Sequence, residues 1–163
     1  MITFNPEEVI KSADLNANFA ELKEQTDKVA SFDGAWQSWT PTYANLTVGN
    51  GTVVAKYTQI GKTVHLYWKF TLGSTSSVGA APTLSLPINQ ATADARINST
   101  GRVSDASPTS ESMAFLRNNT SDASTTRLGY YSTTSVAQNI TATSPFTWAT
   151  NDVIEIAGTY EAA

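Results

Sequence analysis

The chain has 163 residues, 40% of them hydrophobic and 15% charged, with a formal net charge of −4, a single histidine and no cysteine. That length and apolar content suit one ordinary domain with a core, or a domain plus a short appendage. The acidic balance withholds the basic footprint of a nucleic-acid binder, the lack of cysteine excludes disulfides and thiolate metal sites, and no apolar run nears the roughly 20 residues that cross a bilayer.

Charged residues fall well below the roughly 25% usual in soluble domains, and Ser, Thr, Asn and Gln supply the surface instead. Such a surface suits an exposed, durable protein. The opening MITFNPEEVIKSADLN lacks a basic region followed by an apolar one, so the expectation is assembly inside a cell and release in a particle rather than secretion.

Asn5-Pro6-Glu7-Glu8 is a helix-start signal, with Asn as cap, Pro at the first helical position and an acid three residues after the cap. Ser12 offers a second cap, and the main helix is predicted over about Ala13 to Ala30. Along it Leu15, Phe19, Leu22, Thr26 and Val29 recur at spacings of four, three, four and three, placing Leu15, Leu22 and Val29 at d and Phe19 and Thr26 at a. The flanking Asn16, Asn18, Lys23 and Gln25 are mostly uncharged. A short self-associating coiled coil is expected, and Phe19 is bulky for a tight dimer seam. The alternative is an amphipathic helix lying on its own domain, since the stripe covers little more than two heptads. A helix of this length is marginal alone in water. Ser31-Phe32-Asp33-Gly34 ends it, which divides the chain into an anchor and trimer helix, 1–33, and a β-sandwich knob, 34–163.

From Trp36 onward the signals are all strand. Val48-Gly49-Asn50-Gly51-Thr52 and Ile60-Gly61-Lys62-Thr63 read as tight turns, so Tyr43 to Val48, Thr52 to Ile60 and Thr63 to Leu72 are predicted to form a meander. In the last run Val64, Leu66, Trp68, Phe70 and Leu72 alternate with polar residues, the period-two pattern of a half-buried strand. Leu84 to Leu86, between Pro82 and Pro87, reads as a short strand near an edge. Ile97 to Val103, Ser112 to Arg117, Arg127 to Ser132 and Val153 to Tyr160 complete a mainly β chain. Short strands at this spacing indicate an antiparallel, jelly-roll-like β-sandwich.

Three stretches carry a resemblance. ADLNANFAEL, WQSWTPTYANLTVGNGTVVAKYTQIGKTVHLYWKF and the closing DVIEIAGTYEA together resemble virion appendage proteins of tailed bacteriophages: tail fibres, receptor-binding proteins, and head fibres or decoration proteins. The resemblance implies an N-terminal segment docked on another virion protein, a short trimeric helix bundle, and an outward β-rich knob. It also implies assembly in the host cytoplasm, exposure on the virion, and contact with a host-cell-surface polysaccharide. A head fibre or capsid decoration protein without a receptor role is a second reading. From the residues alone, a free-standing carbohydrate-binding module or small glycan-active enzyme is a third.

Catalytic chemistry is hard to assemble. His65 stands on the polar side of its strand, and Asp94, Asp105, Glu111, Asp122, Asp152 and Glu155 are scattered with no motif pairing them as glycoside hydrolysis requires. Gly49-Asn50-Gly51 lacks the lysine and helix of a phosphate loop. No enzyme, no cofactor and no metal are expected. The aromatic residues Trp36, Trp39, Tyr43, Tyr57, Tyr67, Tyr130, Tyr131 and Trp148 are many for so polar a chain, and rings beside Asn, Gln and Ser suit sugars. Trp68 and Phe70 are expected in the core and Trp36 and Trp39 at the helix–sandwich junction, which leaves only the remaining rings to bind anything. Tyr130 and Tyr131 are adjacent, so at least one should face outward. The polar loops Asn89 to Asn98, Ser104 to Glu111 and Asn118 to Thr126 are the expected recognition loops. The candidate ligand-facing residues are therefore Tyr130, Tyr131, Asn118, Asn119 and Asp122.

Overall fold

The computed structural model describes residues 12–30, 34–93, 95–107 and 110–163, the side chains of 28–30 excepted. The chain divides after Gly34. Before that point lies helix α1 (Ser12–Ala30), which carries Asp14 in its first turn, where a carboxylate meets the positive end of the helix dipole. Lys23 bridges to Asp27 at 2.9 Å, one turn on, and the Thr26 hydroxyl donates to the Leu22 carbonyl at 2.9 Å. Leu15, Phe19 and Leu22 are 43%, 60% and 52% exposed. The cap at Asn5-Pro6-Glu7-Glu8, the stop at Ser31 to Asp33 and the Val29 side chain lie outside the described residues.

The second unit is mainly β, an antiparallel curled sheet. Its strands are β1 (Gln37–Ser38), β2 (Tyr43–Thr47), β3 (Thr52–Ile60), β4 (Thr63–Thr71), β5 (Ser77–Ser85), β6 (Asn98–Asp105), β7 (Ser110–Asn118), β8 (Thr125–Tyr131), β9 (Ala137–Asn139) and β10 (Val153–Glu161). They pair in the order β1-β3-β4-β10-β6-β7-β8-β5-β2, with β9 added beside β8. The two ends of that order, β1 and β2, are separated in the chain only by Trp39-Thr40-Pro41-Thr42. Pro41 has no N–H for a ladder, and here the chain leaves one sheet end for the other: Trp39 N–H donates to Ala55 on β3 at 3.2 Å, whereas Ser85 N–H on β5 donates to Thr42 at 2.9 Å.

The expected β4 register holds. Val64, Leu66, Trp68, Phe70 and Leu72 are at most 3% exposed, and Phe70, Trp68 and Val64 sit directly across from Ile154, Ile156 and Tyr160 of β10. The curl brings β2 over this strand, so that the Trp68 indole N–H donates to the Tyr43 hydroxyl at 3.2 Å.

Two expectations are corrected. The meander stops at the β3–β4 hairpin, and β2 pairs with β5 instead of β3. The turn at Val48 to Gly51 is tight, with Gly51 N–H donating to Val48 at 2.9 Å. However, the Asn50 side chain accepts from Thr75 N–H and hydroxyl, both at 2.9 Å, and donates to Ser74 at 3.1 Å. Those bonds bind the turn to the β4–β5 connection and carry β2 away from β3. Gly49, at φ 57°, fits where a Cβ would stand 2.4 Å from the Thr75 carbonyl oxygen. The second correction concerns Leu84 to Leu86. The strand there is β5, nine residues long, and it lies inside the order between β2 and β8. Pro82 is tolerated because the β2–β5 register breaks beside it, at Asn45, and Ala81, at φ 48°, turns its N–H to Ile140 at 2.9 Å.

Candidate ligand-binding face

The five ligand-facing candidates do not form one surface. Tyr131 is 40% exposed and packs on Phe115 with ring centroids 4.7 Å apart. Its neighbour Tyr130 points the other way and packs against the core, as strand alternation requires. Tyr130 is therefore half-buried.

The polar atoms of Asn118, Asn119 and Asp122 bond largely within their own loop. Asn118 accepts from Ile97 N–H at 3.0 Å and donates to the Ala95 carbonyl. Asn119 donates to the Thr125 hydroxyl at 2.9 Å and accepts from Arg127 at 3.4 Å. Asp122 accepts from the Ser124 hydroxyl at 2.6 Å, the Ser124 N–H at 2.8 Å and the Thr125 hydroxyl at 2.8 Å. Those bonds, the Ser124 hydroxyl foremost, hold its carboxyl below the usual carboxylate range. The signal was present in the letters, since Asn-Asn-Thr-Ser-Asp is turn chemistry before it is recognition chemistry.

A better candidate lies on the outward face of β4, β10 and β6, which the loop-centred reading passed over. Three outward residues of β10 form rows with a partner on either side. Thr159 lies between His65 and Asn98, Ala157 between Tyr67 and Thr100, and Glu155 between Lys69 and Arg102. Ala157 is the smallest side chain in the middle row, so a trough follows β10 with Tyr67 and Thr100 as its banks. Two depressions of about 680 and 390 Å³ meet there and share Thr100 and Ala157. Trp36, 52% exposed, closes the wider end together with Thr58 and His65.

The trough's charges are internally matched. Arg102 binds Glu111 at 2.8 Å and Glu155 at 3.3 Å. The Tyr67 hydroxyl donates to Glu155 at 2.8 Å, which holds the Glu155 carboxyl below its usual range, with Lys69 and Arg102 reinforcing it. Burial and that same acceptor push the Tyr67 phenol up. The Lys56 ammonium lies 4.9 Å from the Trp36 ring centre and 5.3 Å from that of Tyr67. His65 Nδ1 pairs with the Thr159 hydroxyl at 2.9 Å.

Glu111 and Glu155 converge on one guanidinium, and Glu155 is held ionised, the opposite of the raised carboxyl a glycosidase uses as its acid. Among the described residues no three His, Cys, Asp or Glu side chains gather as metal ligands, and no helix is long and apolar enough to cross a membrane. No protein-family model, curated protein or solved structure matches the chain.

Proposed function

We propose that this chain is a non-enzymatic structural subunit of a tailed-phage virion, a homotrimeric fibre whose β unit attaches to host-surface polysaccharide. The observation that carries the reading is the stripe on α1. Leu15, Phe19 and Leu22 are 43%, 60% and 52% exposed at heptad spacing, and a stripe of that kind is buried when copies of the helix wind together as a coiled coil. The curled sheet, in this reading, is a sandwich-like knob, and the segment before Ser12 docks on another virion protein. Trimerisation also serves attachment, because three weak sites on one axis raise avidity by roughly 10²–10⁴ where the geometry allows simultaneous engagement.

The test is sedimentation equilibrium of the full chain at micromolar concentration. A trimer is expected, and Phe19→Asp, which places a charge in the seam, is expected to dissociate it. A monomeric wild-type chain removes the fibre reading and favours a free-standing carbohydrate-binding module. Electron microscopy of purified particles then distinguishes tail from head. A trimer that sits on the head and binds no host surface is the decoration protein of the second reading.

A further inference from the structure

We infer that the trough along β10 is the saccharide site itself, built for an uncharged oligosaccharide chain; this rests on the attachment role proposed above and moves it from the loops to the sheet face. The argument starts from the three rows. Thr159, Ala157 and Glu155 mark out a floor five residues long, about 14 Å from end to end at the rise of a β-strand. That suits a short run of linked sugar rings better than a single ring. Ala157 leaves the floor low, while Tyr67 on one bank and Thr100 on the other stand one strand spacing away.

The trough offers both kinds of contact that a pyranose needs. Trp36 and Tyr67 supply aromatic surface for the apolar C–H faces of the ring. His65, Thr159, Asn98 and Thr100 supply neutral donors and acceptors for its hydroxyls, a few placed polar groups beside apolar surface, as in binding clefts generally. Thr58, only 7% exposed, lies directly across from His65 and borders the wide end. Its hydroxyl has no hydrogen-bond partner, which leaves a polar group at the site for an incoming hydroxyl or water to satisfy.

The absence of charge preference follows from what the ions already touch. Arg102 is bound by two carboxylates, Lys56 lies over two rings, and Glu155 is engaged by Tyr67 and Arg102. A sulfated or uronic polysaccharide would have to break one of these pairings to reach Arg102 or Lys56, which leaves only Lys69, whose charge already acts on Glu155 beside it.

The experiment is a heteronuclear NMR titration of the isotope-labelled full chain with maltoheptaose, cellohexaose, chitohexaose and dextran, and with polygalacturonate and dextran sulfate as charged counterparts, at millimolar concentration. At least one neutral probe is expected to move the Trp36 indole N–H and the amides of Thr100, Ala157 and Thr159. Ala157→Arg, an exposed outward position, fills the trough and is expected to weaken that binding by about tenfold or more. Trp36→Ala tests the same end by truncation, and far-UV circular dichroism confirms that both variants fold. If a neutral probe binds but moves residues 118–126 and ignores Ala157→Arg, the trough is overturned while the attachment role stands. Response to the charged probes alone, or no response to any neutral probe, overturns the inference. A monomeric chain with an occupied trough would instead sink the fibre reading and leave the site intact.

Discussion

At the residue scale, the side chains that matter most are those with no alternative environment. Trp68 is fully buried and its indole N–H has a partner in Tyr43. Trp68→Ala therefore leaves a cavity and an orphaned hydroxyl, and should cost on the order of 3–5 kcal/mol in denaturant unfolding. Lys69→Ala, on the outward face of the same strand, should be nearly silent. Tyr160 gives a pH test. Its hydroxyl donates to the Ile88 carbonyl at 2.7 Å and accepts from Ile88 N–H at 3.3 Å, and burial pushes its pKa up to about 12. A raised folded value means the contribution is complete below the unfolded value of about 10 and is lost as pH rises towards the folded one. Alkaline loss of stability should therefore steepen between about pH 10 and 12, and Tyr160→Phe should flatten it. Glu155 has the opposite sign. Its depressed folded pKa stabilises above the unfolded value of about 4.3 and is lost as pH falls through the folded value. Tyr67→Phe removes the leading cause, so carbon-detected titration should find the Glu155 carboxyl closer to its ordinary range.

At the level of elements, what the sequence disclosed was periodicity and what it withheld was partnership. The alternation of Val64 to Leu72 and the β3–β4 turn are local, so both were readable. The helix was predicted from Ala13 and begins at Ser12, because cap and stripe are local too. The partner of β2 was not readable, since it depends on Asn50 bonding to Ser74 and Thr75, more than twenty residues away. The strands β1 and β9, two and three residues long, carry too few side chains to show a period. The loop candidates are a related case: Asn118 and Asp122 are polar in either role, and only the fold reveals which bonds they have already made. The trough escaped notice because it requires three strands distant in sequence, β4, β6 and β10, to present one alanine between a tyrosine and a threonine. One consequence is local to β6. A Cβ at Gly101 would stand 2.0 Å from the Glu155 carbonyl oxygen and 2.7 Å from the Ile156 Cα. Backbone cannot give way as a side-chain tip can, so Gly101→Ala should separate β6 from β10. Hydrogen exchange should show loss of protection at Ile154 and Ile156 before the rest of the sheet.

At the scale of the whole molecule, the buried core and the exposed apolar stripe lie on different stretches of chain. Every buried hydrophobic residue among those described lies between Leu46 and Ala162, none of them in α1. The β unit has its own core, and the Trp39–Thr42 segment links the two ends of its sheet, so residues 35–163 should fold alone with a cooperative transition. The helix is the reverse case, with three large apolar side chains exposed on nineteen residues, and is marginal in water by itself. If copies of it associate, association is linked to folding by mass action, and the melting temperature of the full chain must rise with protein concentration. The truncated chain lacks the stripe and should melt at a temperature independent of concentration. Calorimetry over a hundredfold concentration range, on both chains, separates the possibilities. Equal, concentration-independent melting of the two would show that the stripe does not assemble. Failure of residues 35–163 to fold would show that the core depends on the first 34 residues, against the division of labour argued from burial.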